Sequence, residues 1–531
     1  MTSATAFPRP YSRSPDQDAK APVRHDVIIV GGGPVGLAMA ADLGVRGIAC
    51  VIVDGKAAIG EGSRGLCYAK RTLEILDRLG VGERCVAKGV TWQLGKVFRG
   101  TDLLYQFNLQ PEGGHKMPAF INLQQYYIEQ YLYERCLEMP EVDLRFRTRL
   151  VGLSTFPDHV RLDLDTPDGS YLIEADWLVA CDGSHSAVRH LMGLSFEGRV
   201  FEDRFLIADV KMPADYPAER WFWFDPPFNP GQSALLHKQP DDIWRIDQQL
   251  GWDADPEEER KPEQVRPRLE AMLGRARPFE LEWVSVYTFQ CRRLAKFVHG
   301  RVVFAGDAAH LVSPFGARGF NSGVQDTDNL AWKLAAVLRA EAPATLIDTY
   351  GLEREAAAEE NLRHSSRSTD FITPKSHASR VIRDAALSLA GEVPFARTLV
   401  NSGRLSTPCV YDSPLSTPDE DAFAGTARLG APAPDAPMQK AEGRSTWLLN
   451  ELSDGFTLLV CGSDLPVDLP RSVHAIRIGR DLIDRDGLFA QRYDARPGTA
   501  WLVRPDQHLA ARFRSLDLDR LDRALRRALG N

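Results

Sequence analysis

Three stretches of this sequence combine residue types that could hold a large anionic ligand. The first is Gly31-x-Gly33-x-x-Gly36, with Pro34 and Val35 in its last gap, set between the apolar run "DVIIV" and a helix-like segment. The first glycine permits a tight turn, the second lets a pyrophosphate approach the backbone at the helix N-terminus, and the third allows close helix packing. Asp54 ends the next apolar run, "ACVIVD", 18 residues beyond Gly36, where an acid that hydrogen-bonds a ribose belongs. This spacing predicts a dinucleotide site.

The second stretch, "DWLVACDGSHSAVRHLMG", brings Asp182-Gly183 off a strand and places Ser186 and Arg189 on the opening turn of a helix. The third, "GDAAHLVSPFGARGFNSGVQDTDNLAWKL" at residues 306–334, follows the run "RVVFA". It reads as a strand end, the acid Asp307, a bend through Pro314, Gly316 and Gly319, and a helix opening near Asn321. Such a helix start presents free N–H groups and the positive end of its dipole to whatever the bend cradles.

These residues need a scaffold, and the hydrophobic periodicity supplies one. Residues 25–56 read as strand–helix–strand, with Leu37, Ala40, Ala41 and Gly44 on one helix face. Residues 64–80 form an amphipathic helix, and the short alternating runs of 142–179 fit a small antiparallel meander. Between 196 and 290 the chain turns aromatic and strand-like, and helices return from 321 to about 400. The expected fold class is therefore α/β (α+β mixed). Its divisions are a flexible tail at 1–24, one domain from 25–195 and 291–400, an inserted sheet domain at 196–290, a linker at 401–445 and a small α/β unit at 446–531.

Composition narrows the function. The 531 residues carry a formal charge of −8 and a pI near 5.9, which argues against a nucleic-acid partner. No apolar run approaches the roughly 18 residues of a membrane helix. The eight cysteines have irregular spacing without C-x-x-C, as expected of reduced thiols in a cytoplasmic protein. Neither H-E-x-x-H nor G-x-S-x-G is present, so zinc proteolysis and serine hydrolysis find no support.

Taken together, the three motifs resemble the single-component FAD-dependent aromatic hydroxylases, typified by p-hydroxybenzoate hydroxylase. The likeness is closer to phenol- and hydroxyphenylpropionate-hydroxylating members. It covers residues 25–400, while 446–531, with the phrase "LVRPDQHLAAR" at 502–512, resembles the thioredoxin-like extension of larger members, without a redox-active cysteine pair. The resemblance implies a Rossmann-like FAD-binding domain with an inserted antiparallel-sheet substrate domain. It also implies noncovalent FAD, NADH or NADPH as transient reductant, O2 as co-substrate, and a small aromatic substrate hydroxylated through a flavin C4a-hydroperoxide. A homodimer is compatible with it.

By motif, the resemblance gives Arg64 in "SRGL" to the flavin and its pyrophosphate, Gln125 to FAD, and the Leu150 backbone to the adenine. Asp182, Gly183 and Arg189 belong to a motif associated with FAD and nicotinamide nucleotide. Asp307 would bind the ribityl chain. Gly316, Gly319, Phe320 and Asn321 would lie against the isoalloxazine, and Pro314 would stiffen the wall beside C4a. Trp221, Phe222, Trp223, Phe224, His237 and Trp244 form a candidate lid, and His237, Tyr287 and His310 are candidate proton acceptors. Where the family commonly shows Gly-Gln, this chain has Ala317-Arg318. Arg318 is expected either to point to solvent or to pair with an acid such as Asp326, or else to lie near the flavin edge or the pocket in a catalytic role. Two rival readings remain: a halogenase, since "WFWFDP" approximates that signature with Asp225 in an apolar slot, and a flavin-bearing binding protein without turnover.

Overall fold

The structure, a computed structural model, describes residues 7–59, 65–274, 277–400, 407–462, 465 and 468–531. At its centre the strand Val23–Val30 pairs in parallel with Cys50–Asp54 on one side and with Gly169–Ala180 on the other. Val302–Phe304 and Val142–Phe146 extend the sheet in parallel. Val27, Ile28, Ile29 and Ile52 are fully buried. Such unbroken apolar runs suit a parallel sheet covered on both faces, and the helices Pro34–Val45, Gln125–Leu137 and Gly319–Leu338 pack together over it.

The meander expected at 142–179 is only partly antiparallel. Arg149–Thr155, Val160–Thr166 and the first half of Gly169–Ala180 pair antiparallel. The latter strand has 12 residues, long enough for its second half to run on into the parallel sheet.

The second sheet has the order His310–Leu311, Glu280–Arg293, Glu197–Lys211, Ile243–Gln249, Ser233–Lys238, Arg220–Phe224, Leu94–Arg99, Asp102–Asn108. It draws on residues 94–108 as well as 196–290, because Arg220–Phe224 pairs in parallel with Leu94–Arg99. Strand alternation divides its side chains. Leu206, Ala208, Val210, Leu236, Trp244 and Ile246 pack with Trp221 and Trp223 against the helix Pro262–Leu273. The opposite set, including Phe205, Phe222 and Phe224, packs with Phe315 of the Pro- and Gly-rich bend.

Residues 7–24 are not loose. The Arg9 guanidinium stacks 3.6 Å over the Tyr133 ring, and Asp16 accepts from Arg145 at 2.7 Å and lies 2.8 Å from His25. The segment 407–436 is likewise packed, with Tyr411, Leu415, Ala427 and Ala433 buried. The C-terminal sheet starts at Pro437–Lys440, ahead of the expected boundary. Its core strand Phe456–Cys461 pairs in parallel with Val473–Ile478 and antiparallel with Ala500–Val503, which forms a hairpin with Leu509–Phe513. That is the strand pattern expected of a thioredoxin-like unit. Among the described residues no helix is long and apolar enough to cross a membrane.

A buried ion cluster docks this unit on the first domain. Arg504 donates to both Glu353 oxygens at 2.6 and 3.0 Å. Lys333 and Asn329 donate to Glu353 Oε2 at 2.8 and 2.6 Å. Nearby, Arg71 donates to Asp328 at 3.0 Å, to the Asp506 carbonyl at 2.8 Å and to Gln507 at 2.9 Å. The sequence phrase "RPDQH" is thus the docking loop. Removing one member of a buried pair strands the other charge and costs about 3–5 kcal/mol. Glu353→Gln should therefore lower the unfolding free energy, read from denaturant titration, by an amount in that range. Arg504 and Lys333 hold the Glu353 carboxyl well below its usual 4.5. A depressed folded value stabilises above the unfolded pKa and is lost as pH falls through the folded one. Wild-type stability should thus decline with acidification below about pH 4.5, and the Gln variant should show a shallower slope in denaturant titrations across that window.

Candidate active site

The glycine loop has the geometry that its spacing demands. Gly31 has φ 108°, and a Cβ there would meet Cys181 O at 2.5 Å; one at Gly36 would meet Gly31 O at 1.9 Å. A Cβ at Gly33 would meet nothing within 4 Å, so the backbone before Pro34 and Val35, at the start of the helix Pro34–Val45, faces open space. Asp54 braces this loop: Oδ2 accepts the Gly32 N–H at 2.7 Å and Oδ1 accepts the Lys56 N–H at 2.8 Å. A carboxylate oxygen can accept again, so a ribose hydroxyl could still be served. The Thr148 N–H donates to Asp54 O at 2.9 Å, which brings the strand holding buried Leu150 beside the loop. Gln125 Oε1 accepts the Gly65 N–H at 2.9 Å, and its amide donates to Glu129. Arg64 lies outside the described residues.

The second motif forms a braced turn. Asp182 Oδ2 accepts the Val188 N–H at 3.0 Å, while its Oδ1 is buried with no hydrogen-bond partner, and burial raises its pKa. Ser186 caps the short helix Ala187–Leu191 by accepting the Arg189 N–H at 3.0 Å. Arg189 donates to Ser184 O at 2.7 Å and stacks 4.0 Å from the Phe196 ring centre. Gly183 takes φ 79° with open space where a Cβ would stand.

The third motif ends the buried strand Val302–Phe304. Gly306 has φ 61° and its N–H donates to Asp326 Oδ2 at 2.9 Å. Asp307 is exposed between buried Gly306 and Ala308, where the acid for a ribityl chain was expected. His310 is buried with Nε2 2.8 Å from Asp326 Oδ2. It orients the loop acid, and that fixed pairing removes it from the candidate proton acceptors. The following helix begins at Gly319, slightly before Asn321. The Asn321 side chain is spent on stitching: it accepts the Ala69 N–H at 3.0 Å and donates to Cys67 O at 2.9 Å. Phe320 sets its edge on Tyr68, with ring centres 5.3 Å apart. Pro314 is exposed, and a Cβ on Gly319 would meet nothing within 4 Å. Ala317 sits at φ 49°, a left-handed conformation that glycine adopts without penalty. Arg318 neither reaches solvent nor Asp326; it is buried and donates to Asn361 in the helix Leu346–Ile372 at 2.6 Å.

Above this bend stands one face of the second sheet. Phe315 meets Phe205 and Phe289 with ring centres 4.9 and 5.1 Å apart. In register across that face run Phe205 and Gln249, Ile207 and Asp247, Asp209 and Arg245, continued by Leu235 beside Asp247 and His237 beside Arg245. Burial and the Arg220 and Arg245 guanidiniums hold His237 well below its ordinary pKa. His237 is therefore held neutral, with Nδ1 3.9 Å from Cys67 Sγ. Trp221, Trp223 and Trp244 point to the other face, into the core with Leu236 and Ile246, so they form no lid. Asp225, in the halogenase-like phrase, is a turn residue at φ 49° that accepts the Gly231 N–H. That placement takes Asp225 out of the apolar slot and, with Trp221 and Trp223 on the core face, removes the basis for halogenation.

Open backbone at Gly33, an exposed strand-end acid at Asp307, an orphaned oxygen on Asp182 and a bare bend at Gly319 fit an extended FAD. Gly33→Val should keep the fold, since a Cβ there meets nothing within 4 Å, yet purify without flavin because the side chain fills the pyrophosphate's space. Asp307→Ala should weaken FAD binding by about tenfold or more; flavin absorbance of the purified protein and titration of the apoprotein measure both.

Residues 24–365 match the FAD binding domain family. A 3-(3-hydroxy-phenyl)propionate/3-hydroxycinnamic acid hydroxylase of Mycobacterium sp. (strain JLS) is 29% identical over 89% of this chain and 81% of its own length. An enzyme of the same name from Escherichia coli O8 (strain IAI1) is 30% identical over 71% of this chain and 68% of its own. The crystal structure of the flavin-dependent monooxygenase PieE in complex with FAD and substrate shares the fold. Its TM-score is 0.83, with 22% identity, 96% of this chain and 100% of that one covered. The chain belongs to the FAD binding domain family and is a flavin-dependent monooxygenase of the aromatic hydroxylase class.

Proposed function

We propose that the Gly33 backbone takes the FAD pyrophosphate, Asp54 a ribose hydroxyl, and Asp307 the ribityl chain. The isoalloxazine then lies along Pro314–Asn321, with a small phenolic ring between it and the inward face of the second sheet. Bound FAD, reduced by NADH or NADPH, supplies oxygen transfer from O2. The chain's own residues place the ring and exclude water. Phe205, Phe222, Phe224, Phe289 and Phe315 give an apolar wall, while the free N–H groups opening the helix Gly319–Leu338 favour negative charge on the adjacent flavin edge by about 0.3–2 kcal/mol.

The observation that carries this reading is the contact of Phe315 with Phe205 and Phe289, which joins the bend to an aromatic sheet face. The names of the Mycobacterium and Escherichia coli relatives support it: both describe action on monocyclic phenols bearing a carboxylate side chain. A panel of phenols and hydroxyaromatic acids, followed by NAD(P)H and O2 consumption and product mass, tests it. At least one monocyclic or bicyclic hydroxyaromatic should accelerate NAD(P)H oxidation and gain one hydroxyl. If no hydroxyaromatic stimulates oxidation, the proposed substrate class is wrong.

A further inference from the structure

Charges on the inward face of the second sheet are unequally satisfied. Asp209 and Arg245 close on each other, with Arg245 Nε and Nη2 donating to the two carboxylate oxygens at 2.8 and 2.9 Å, and Gln239 adding a bond at 2.9 Å. Two neighbours lack any such partner. Arg220 is 7% exposed and its guanidinium makes no hydrogen bond or ion pair among the described residues. Asp247 has a buried Oδ1 that accepts nothing. The two are electrostatic neighbours. An unpaired buried charge is costly, so native structures leave one where a ligand completes it.

Their position says which ligand. Asp247 lies along the strand from Gln249, the register partner of Phe205, whose ring meets Phe315. On the other flank His237 Nδ1 is 3.9 Å from Cys67 Sγ, and the Cys67 carbonyl is held by Asn321. Arg220 and Asp247 are thus bracketed by two contacts to the flavin bend. Asp247 is only half-buried although its strand is internal to the sheet; strand alternation puts its side chain on the same face as Phe205 and Gln249.

Resting on the hydroxyaromatic reading above, we propose that Asp247 and Arg220 grip the substrate's phenolic oxygen, the carboxylate taking its proton and the guanidinium holding the oxygen left negative. The phenol O–H bond breaks and an O–H bond forms on Asp247. The electron pair stays on the ring oxygen, enriching the ring for attack, and the proton later passes to water. No oxidant or reductant enters this step. Three neighbouring groups are unsuited: burial pushes the Cys67 thiol up to about 11, His237 is neutral, and Arg245 is tied to Asp209. Burial raises the Asp247 pKa to about 6, against the pull of Arg245 and Arg220 and with the push of Asp209. The base is therefore ionised at neutral pH and lost on acidification.

The test compares wild type, Asp247→Asn and Arg220→Gln as FAD-loaded enzymes, using the best phenol of the panel and its O-methyl ether. Asp247→Asn should keep FAD content and thermal midpoint, lower kcat/KM for the phenol by about 100-fold or more, and lose the acid limb near pH 6. It should also lose the wild-type preference for the phenol over the ether. Arg220→Gln should raise KM for the phenol about tenfold or more. A wild type that hydroxylates the phenol while Asp247→Asn keeps its rate, acid limb and ether discrimination overturns the pair alone. A wild type that hydroxylates no phenol overturns the substrate class and the pair with it.

Discussion

The site depends on one buried carboxylate. Asp326, fully enclosed, takes the Gly306 N–H at 2.9 Å, lies 2.8 Å from His310 and accepts Arg354 at 2.6 Å. The Arg354 guanidinium and His310 keep it below the usual carboxylate range. A charge in the interior survives only when it is paired and its remaining sites are hydrogen-bonded. Here that requirement fixes the strand end, the bend and two long helices in one arrangement. Tyr350 reinforces it by donating to Phe304 O at 2.6 Å. The flavin bend is glycine-rich and would be floppy without this anchor.

The same anchor reaches the C-terminal unit. Arg354 also donates to Tyr411 OH at 2.9 Å, and the Tyr411 ring stacks on His508 with centres 4.7 Å apart. Two side chains therefore separate the docking loop "RPDQH" from the acid that holds Gly306. Together with the Glu353 cluster, this makes the extension a brace for the back of the cradle. The second sheet contributes differently. Its alternation gives an outer face to its own core and an inner face to the flavin bend, so one set of strands both folds the domain and lines the site.

Local features were legible in the sequence and distant pairings were not. The glycine loop, Asp54 and the strand-end Asp307 are written in consecutive residues, because tight turns and helix starts restrict residue type locally. The membership of 94–108 in the second sheet depends on Leu94–Arg99 pairing in parallel with Arg220–Phe224, a contact between remote segments that leaves no periodic mark. The tail at 7–24 and the segment 407–436 look polar and loose, yet Arg9 on Tyr133 and Asp16 on Arg145 hold the first, and Tyr411 beneath Arg354 with buried Leu415 and Ala433 hold the second. Asp247 was missed because Arg245, Asp247 and Gln249 alternate with Trp244, Ile246 and Gln248, which reads as an ordinary solvent face. The available signal was that this strand has another strand on each side within an inserted sheet, so its polar face had to be covered. Trp221 and Trp223 misled in the opposite sense: large aromatics drew attention to the face that packs the core.

Turnover with isotopically labelled O2 tests the central claim most directly. The account predicts that the hydroxylated product carries one labelled oxygen for each NAD(P)H consumed, with little labelled hydrogen peroxide, because the braced bend and the aromatic sheet face exclude water around the ring. Product oxygen drawn from water, or label found only in peroxide while the aromatic is recovered unchanged, would contradict it.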